Sequence, residues 1–238
     1  MSDKKPLSSE IYGDAAFAQQ YAANIIDNAW NAYYERPASL SLAAADLHNK
    51  SVLDAGCGPG ITTAWFVNQG ANVTGIDYSE EMISIARNNT EDRARLLRHD
   101  LNQELNMFNQ SEFDIIYCSL VIHYIDDLDL LFKEFSRVLK PNGILIFSTD
   151  HPNAPFVKAI PVSGREQKSF FWNNFGIYMD AYLRPWNHIT DSLEKNQFVI
   201  DKTIDPVPTQ ECRVKFPDIY EQLIANPNFI CVRAINKK

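Results

Sequence analysis

The chain of 238 residues has few cysteines, and their spacing argues against two common kinds of site. The four are Cys57, Cys118, Cys212 and Cys231, and no two of them form a CxxC pair. Zinc sites and dithiol redox centres depend on closely spaced cysteines, so neither is indicated. We expect the thiols to be reduced and buried as small apolar side chains.

Long apolar runs are absent as well. No stretch approaches the roughly 18 apolar residues that a helix needs to cross a bilayer. Residues 1–10 are polar, and no apolar segment of a secretory signal peptide follows them. We therefore expect a cytoplasmic protein with no membrane insertion.

Positively charged residues are fewer than negatively charged ones. The chain has 22 lysines and arginines against 30 aspartates and glutamates, which gives a net charge of −8. An acidic chain repels the phosphate backbone of DNA and RNA. We therefore expect no nucleic-acid partner.

From residue 50 to residue 150 the chain alternates strand patterns with helix patterns. Such alternation predicts right-handed βαβ units and a parallel sheet with helices on its faces. Two further β runs follow near the C-terminus. The predicted strands are, in order, 51–55, 71–77, 94–97, 113–119, 144–148, 198–204 and 229–235.

The remaining segments suggest a single domain with additions to its α/β core. Residues 1–49 are predicted to form a helical cover, with helices at 15–34 and 38–47, in front of the core at 50–150. Residues 189–238 are predicted to form a helix and a hairpin. Residues 151–188 have few regular patterns but many aromatic side chains. A long irregular stretch inside a domain is often functional, so this insertion is either a lid over the substrate or a segment that only packs.

A glycine-rich turn carries the strongest functional indication. The run Val52-Leu53-Asp54-Ala55-Gly56-Cys57-Gly58-Pro59-Gly60 follows a strand and opens a helix, and Asp77 ends the next strand. This arrangement suits a nucleoside cofactor whose ribose hydroxyls donate to the acidic side chain. The third glycine comes one place too early for the dinucleotide pattern G-x-G-x-x-G, and Asp54 would face a pyrophosphate badly. These two departures argue against a dinucleotide, so an NAD-dependent oxidoreductase is kept only as an alternative function.

Three motifs together carry a family resemblance. The runs VLDAGCGPG, GIDYSEEM and LKPNGILIFS closely resemble those of class I S-adenosylmethionine-dependent methyltransferases, in the small-molecule branch that includes the quinone C-methyltransferases. The resemblance extends roughly from Trp30 to the C-terminus. It implies a Rossmann-like α/β fold with a seven-stranded, mostly parallel sheet and an antiparallel last strand. It also implies S-adenosylmethionine as cofactor and S-adenosylhomocysteine as product.

The same resemblance implies a set of cofactor-binding residues. The turn would contact the methionine part, the acid after the second strand the ribose, and neighbouring side chains the adenine. The residues so assigned are Asp54, Gly56, Gly58, Asp77, Tyr78, Met82, Asp100, Leu101 and Ser119, with Tyr34 and Arg36 near the cofactor's carboxylate.

Methyl transfer from a sulfonium requires mainly that the acceptor be held in line with the methyl group and that water be excluded. His123, after the fourth strand, is the candidate general base if the acceptor must lose a proton. His151, Trp172, Trp186 and His188 are the candidate substrate contacts. We expect no metal, a small apolar or aromatic acceptor, and a monomer or homodimer. A non-catalytic cofactor-binding protein of the same fold is a further alternative.

Overall fold

The computed structural model describes residues 11–158, 164–172 and 174–238, and within them one sheet of seven strands organises the molecule. Its strands are β1 (Ser51–Ala55), β2 (Asn72–Asp77), β3 (Arg95–Arg98), β4 (Phe113–Ser119), β5 (Leu139–Asp150), β8 (Phe198–Ile204) and β9 (Phe229–Asn236). Their order in the sheet is β3-β2-β1-β4-β5-β9-β8.

Strands β1 to β5 are parallel, whereas β9 runs antiparallel between β5 and β8. The expected Rossmann-like sheet with an antiparallel last strand is therefore confirmed. Strand β4 is buried along most of its length, as its continuous apolar run predicts for a strand covered on both faces. Its residues Ile116 and Cys118 belong to the largest apolar cluster, whereas Ile115 and Tyr117 belong to the cluster on the other face.

Helices cover both faces of this sheet. Their ends follow local capping chemistry: Ser79 Oγ accepts the Met82 N–H at the start of the helix Glu80–Thr90, and Asp127 does the same for the first turn of the helix Leu128–Val138. The core helices are α3 (Ile61–Asn68), α4 (Glu80–Thr90), α5 (Leu128–Val138), α7 (Trp186–Lys195), α8 (Gln210–Lys215) and α9 (Pro217–Ala225). A short helix, α6 (Pro155–Lys158), follows β5.

The N-terminal cover differs from the two helices that the sequence predicts. Helix α1 (Ala15–Ile26) ends early, and a π-helical turn (Asn31–Glu35) leads into α2 (Arg36–Leu40). The break lies at Asn28, whose side chain accepts the Asn31 N–H at 2.6 Å and so begins a new helical segment. The π turn directs Glu35 and Arg36 towards the carboxyl edge of the sheet.

The insertion after β5 is more regular than the sequence predicts, because it contains an antiparallel hairpin of β6 (Glu166–Trp172) and β7 (Ile177–Leu183). Aromatic side chains occupy both faces of this ribbon. Phe171 and Tyr178 are exposed with ring centroids 5.0 Å apart, whereas Met179 on the other face is buried. The outward face of the hairpin is therefore partly aromatic, while burial along β7 alternates as in an ordinary strand. Positions 159–163 and 173 of the insertion, and 1–10 of the cover, lie outside the described residues.

All four cysteines are buried and free, as expected. Among the described helices, none is both long and apolar enough to cross a membrane.

A partly buried ion pair ties α5 to the loop that follows β3. Glu134 is 6% exposed, accepts the Leu105 N–H at 2.8 Å and pairs with Arg137 at 2.7 Å. Arg137 in turn donates to the carbonyls of Phe108 and Leu105. These bonds fix the loop at the edge of the sheet where β3 ends.

We expect Glu134→Ala to lower the free energy of unfolding by about 3 kcal/mol, because it leaves the Leu105 N–H and the partly buried Arg137 unpaired. Chemical denaturation measures the change. Lys133→Ala, on an exposed position of the same helix, is the matched control and should change stability by less than about 0.5 kcal/mol. Equal effects of the two substitutions would contradict this role of the ion pair.

Candidate functional site

The carboxyl ends of the parallel strands enclose a cavity of about 750 Å³. Ligands of open α/β sheets bind at this edge. The cavity is lined by residues that follow β1, β2, β3 and β4. Ten of the eleven predicted cofactor-binding residues line it, namely Arg36, Asp54, Gly56, Gly58, Asp77, Tyr78, Met82, Asp100, Leu101 and Ser119.

The glycine turn leaves its backbone open to this cavity. Gly58 has φ +51°, and a Cβ at this position would meet no protein atom within 4 Å. The space beside it is therefore available for close approach of a ligand. Gly60 serves packing instead: its φ is +79°, and a Cβ would lie 2.9 Å from the Cα of Ala86 in α4.

Asp77 links the end of β2 to this turn. Its carboxylate accepts the Gly58 N–H at 2.9 Å and the Ser79 N–H at 2.9 Å. Burial raises the pKa of Asp77, while these N–H groups oppose the rise. A carboxylate has about four acceptor positions, so two bonds to the backbone leave capacity for the hydroxyls of a ribose.

Asp54 is the buried acid at the end of β1, and it is 1% exposed. Thr63 Oγ1 donates to it at 2.6 Å and Thr62 Oγ1 at 3.0 Å, both from the first turn of α3. Burial raises the pKa of Asp54 to about 6, against the effect of the threonine hydroxyls. The site therefore holds a carboxylate that has lost most of its hydration.

A second buried acid, which sequence reasoning missed, lies nearby. Glu35 is 2% exposed, lines the cavity and accepts the Ser119 Oγ–H at 2.8 Å. Burial raises its pKa as well. No pattern in the sequence distinguishes Glu35 from a surface acid, because it is brought to the site by the π turn. Its neighbour Arg36 also lines the cavity and donates to the Ile25 carbonyl at 2.8 Å.

Tyr34 is the predicted cofactor residue that does not line the cavity. It is fully buried, and its hydroxyl accepts the Asn228 N–H at 3.0 Å while its ring packs on Phe229. Tyr34 thus helps to pack the N-terminal cover against β9.

An adjoining chamber of about 610 Å³ opens beside the first cavity. Tyr12, Tyr21, Leu120 and Tyr124 line both spaces and mark the border between them. Leu120 has φ +53°, a left-handed conformation that is uncommon for a residue other than glycine. Its N–H donates to Ser148 Oγ at 2.9 Å, which helps to hold this strained position at the border.

His123 lines this chamber, as expected for a residue that follows β4. Its Nδ1 is buried and has no hydrogen-bond partner among the described residues. Burial, and then the charge of Arg184, lower the pKa of His123 to about 4. The imidazole is therefore neutral at physiological pH.

The four candidate substrate contacts occupy different surroundings. Trp172 lines the chamber and stacks on Tyr21 with ring centroids 6.2 Å apart. His151 does not line either space: it is buried, accepts the Asn153 N–H and contacts Asp205 at 3.2 Å. Trp186 packs against the main core, and His188 is exposed in the first turn of α7. The structure thus places one of the four in the chamber, together with aromatic residues of the hairpin and of α1.

The groups around the larger cavity suit S-adenosylmethionine chemically. Asp54 and Glu35 offer anionic oxygens for a cationic amine, and Arg36 offers a guanidinium for a carboxylate. Asp77 offers acceptors for ribose hydroxyls, and Met82 and Leu101 offer buried apolar surface for a purine. The space beside Gly58 would admit the ligand without a side chain in the way.

Comparison with known proteins agrees with this chemistry. A methyltransferase-domain family matches residues 53–147. The ubiquinone biosynthesis O-methyltransferase of Coxiella burnetii is 34% identical over 108 residues, which are 45% of this chain and 46% of that protein. The chain thus matches about half the length of such curated relatives.

Solved structures extend the likeness over most of the chain. An S-adenosylmethionine-dependent methyltransferase from Mesorhizobium loti is 26% identical with a TM-score of 0.69, over 84% of this chain and 97% of that one. The [4+2]-cyclase SpnF, 18% identical with a TM-score of 0.67 over 98% of this chain and 97% of that one, shares the fold alone. The matched domain, the sheet order and these relatives support a class I S-adenosylmethionine-dependent methyltransferase domain in this chain.

Proposed function

We propose that this protein transfers a methyl group from S-adenosylmethionine to a small apolar or aromatic acceptor. The observation that carries the proposal is the pair of adjoining spaces, one lined by the glycine turn with Asp54, Glu35 and Asp77, the other lined largely by aromatic and aliphatic side chains. Small-molecule sites are typically apolar with a few placed polar groups. The expected setting remains a cytoplasmic monomer or homodimer that acts without a nucleic-acid partner.

The bound cofactor supplies an activated methyl group on a sulfonium, and the protein's own residues hold the partners in place. Asp77 would accept the ribose hydroxyls, Asp54 and Glu35 would hold the methionine amine, and Arg36 would hold its carboxylate. Tyr12, Tyr21 and Tyr124 would exclude water where the two spaces meet. This positioning favours in-line displacement without a metal.

Burial keeps the ring of His123 neutral, so a ring nitrogen is available to accept a proton, but its pKa of about 4 makes it a weak base in the ligand-free protein. An acceptor with a hydroxyl, as in the named O-methyltransferase relatives, would need such a base; an unprotonated amine would not. The hairpin β6–β7 would serve as the lid of the acceptor chamber, because Phe170, Trp172, Met179 and Ala181 line that chamber.

The test of the proposal is binding of S-adenosylhomocysteine by calorimetry, together with transfer of a labelled methyl group from S-adenosylmethionine to a panel of small acceptors. Tight binding with turnover of a small acceptor is the expected result. Binding of NAD in place of S-adenosylhomocysteine would overturn the proposal in favour of an oxidoreductase. Binding without turnover of any acceptor would favour a non-catalytic cofactor-binding protein.

Replacing Asp77 tests the ribose contact. We expect Asp77→Ala to weaken S-adenosylhomocysteine binding by about 2 kcal/mol, roughly thirtyfold in Kd, because it removes a charged acceptor and releases the Gly58 N–H. Calorimetry measures the loss. The exposed Asp218, in the first turn of α9, provides the control Asp218→Ala, whose affinity should match that of the unaltered protein. An unchanged affinity for Asp77→Ala would remove this residue from the site.

We expect the carboxylate of Asp54 to strengthen cofactor binding and to lower the stability of the ligand-free protein. Its pKa of about 6 in the folded chain lies above the unfolded value of about 3.9. The folded state therefore binds the proton of Asp54 more tightly, so the contribution of Asp54 to stability is greatest below about pH 4 and falls as pH rises from about 4 to about 6.

In the ligand-free protein, we therefore expect Asp54→Asn to raise stability relative to the unaltered protein by roughly 2 kcal/mol more at pH 8 than at pH 4. Urea denaturation at both pH values measures this difference. The same substitution should weaken S-adenosylhomocysteine binding at pH 8, as calorimetry would report. A stability difference that does not vary with pH would show that the ionised Asp54 does not destabilise the fold.

Trp172 tests the acceptor chamber. We expect Trp172→Ala to raise the acceptor KM about tenfold or more with little change in the Kd of S-adenosylhomocysteine, because a large aromatic wall is lost from the chamber alone. Steady-state kinetics with the accepted substrate measures this. Phe171→Ala, on the exposed face of the same strand, is the matched control and should leave KM unchanged. Loss of cooperative unfolding in Trp172→Ala, with normal kinetics of the folded fraction, would assign the residue to packing.

A further inference from the structure

The acceptor chamber has an unusual balance of charge. Aromatic rings form much of its wall, and the other polar side chains are mostly neutral amides and hydroxyls. Among the described residues that line it, Asp150 is the only charged one, and no lysine or arginine is present. The chamber therefore presents a single carboxylate inside an aromatic enclosure.

Asp150 is the last residue of β5, at the carboxyl edge of the sheet and opposite Phe229 of β9. No hydrogen bond to its carboxylate is found among the described residues, and no ion pair lies within 4.0 Å. Burial raises the pKa of Asp150 to about 6, so the group is still ionised at neutral pH. Asp150 is half-buried, and an anion that is partly withdrawn from water and has no partner among the described residues is unfavourable. A cationic ligand would relieve this cost.

The neighbouring groups do not supply that positive charge. His123 is neutral at physiological pH, and burial raises the pKa of Tyr12, Tyr21 and Tyr124, so their hydroxyls stay neutral too. Arg184 lies near His123, but its guanidinium donates to the backbone carbonyls of residues 122, 125 and 126. The charge of Asp150 thus remains available to a ligand.

Aromatic walls favour the same kind of ligand. The face of an indole or phenol ring attracts an ammonium group through its quadrupole, and the attraction strengthens when water is excluded. Trp30, Trp172 and the three border tyrosines contribute such rings. A carboxylate ligand would instead meet like charge, and a neutral alcohol would leave the charge of Asp150 unpaired.

We propose that Asp150 binds a basic nitrogen of the methyl acceptor and makes the chamber selective for small amines that carry an apolar or aromatic group. This inference rests on the proposed function and adds the chemical class of the acceptor. It assigns to Asp150 the recognition of the acceptor, a role distinct from that of the acids around the cofactor cavity.

Three matched probes test the assignment: phenethylamine, 2-phenylethanol and 3-phenylpropionate, titrated by calorimetry into the full chain saturated with S-adenosylhomocysteine. We expect the amine to bind about tenfold or more tightly than the alcohol, as a charge-assisted hydrogen bond would give, and the carboxylate to bind most weakly. Equal binding of amine and alcohol, or tighter binding of the carboxylate, would overturn the proposal.

A substitution isolates the residue. Asp150→Asn keeps the shape of the side chain and should reduce the preference for amine over alcohol to within about threefold, whereas Asp218→Asn should retain it. Retention of the full preference in Asp150→Asn would show that another group binds the amine. Should Asp150→Asn fail to fold, the ranking of the three probes by the unaltered protein still decides the proposal.

The same titrations separate this inference from the function on which it rests. Failure of the unaltered protein to bind S-adenosylhomocysteine would defeat the proposed function itself. Normal binding of S-adenosylhomocysteine with no preference for the amine would defeat only the assignment of Asp150. Asp150→Asn is expected to bind S-adenosylhomocysteine with an unchanged Kd, because Asp150 does not line the cofactor cavity.

Discussion

The hydrogen bond from the Gly58 N–H to the carboxylate of Asp77 joins the ends of the first two strands and determines the shape of the cofactor cavity. It holds the glycine turn beside the end of β2, with the open space at Gly58 next to the cavity that Gly58 lines. The Ser79 N–H fixes the same carboxylate from the other side, and Ser79 in turn caps α4. The end of β2, the glycine turn and the start of α4 are thus connected through Asp77.

The site concentrates negative charge where burial makes it costly. Asp54, Asp77 and Glu35 all have pKa values raised by burial, and each is kept in place by donors from the protein rather than by a cation. Because a buried charge without an opposite charge destabilises a fold, the arrangement is understandable if the opposite charge belongs to a ligand. Apolar clusters cover both faces of β4 and β5 and supply the stability that offsets this cost.

The sequence predicted the part of the molecule whose structure is determined locally. Strands such as β4, the helix Ile61–Asn68 and the Ser79 cap follow from apolar periodicity and capping chemistry over a few residues. It did not predict Glu35, because the break at Asn28 and the π turn that carry this acid into the cavity depend on side-chain hydrogen bonds that periodicity does not reveal. His151 and Trp186 were expected near the substrate on the basis of their place in the chain. In the structure, His151 contacts Asp205 and Trp186 packs against the main core.

The fold alone does not decide which reaction occurs, since a [4+2]-cyclase shares it with methyltransferases. The reaction is determined by the residues that line the space beside the activated group. The cofactor side is built from acids and a glycine turn that the family motifs already encode, whereas the other side is built from a hairpin, a broken N-terminal helix and the end of β5. These three segments come together only through the tertiary fold, which is why the acceptor was the least predictable feature of the sequence. Aromatic rings surround the carboxylate of Asp150, and no cation of the described residues lies within ion-pair distance of it. This combination is the structural basis on which an acceptor would be chosen.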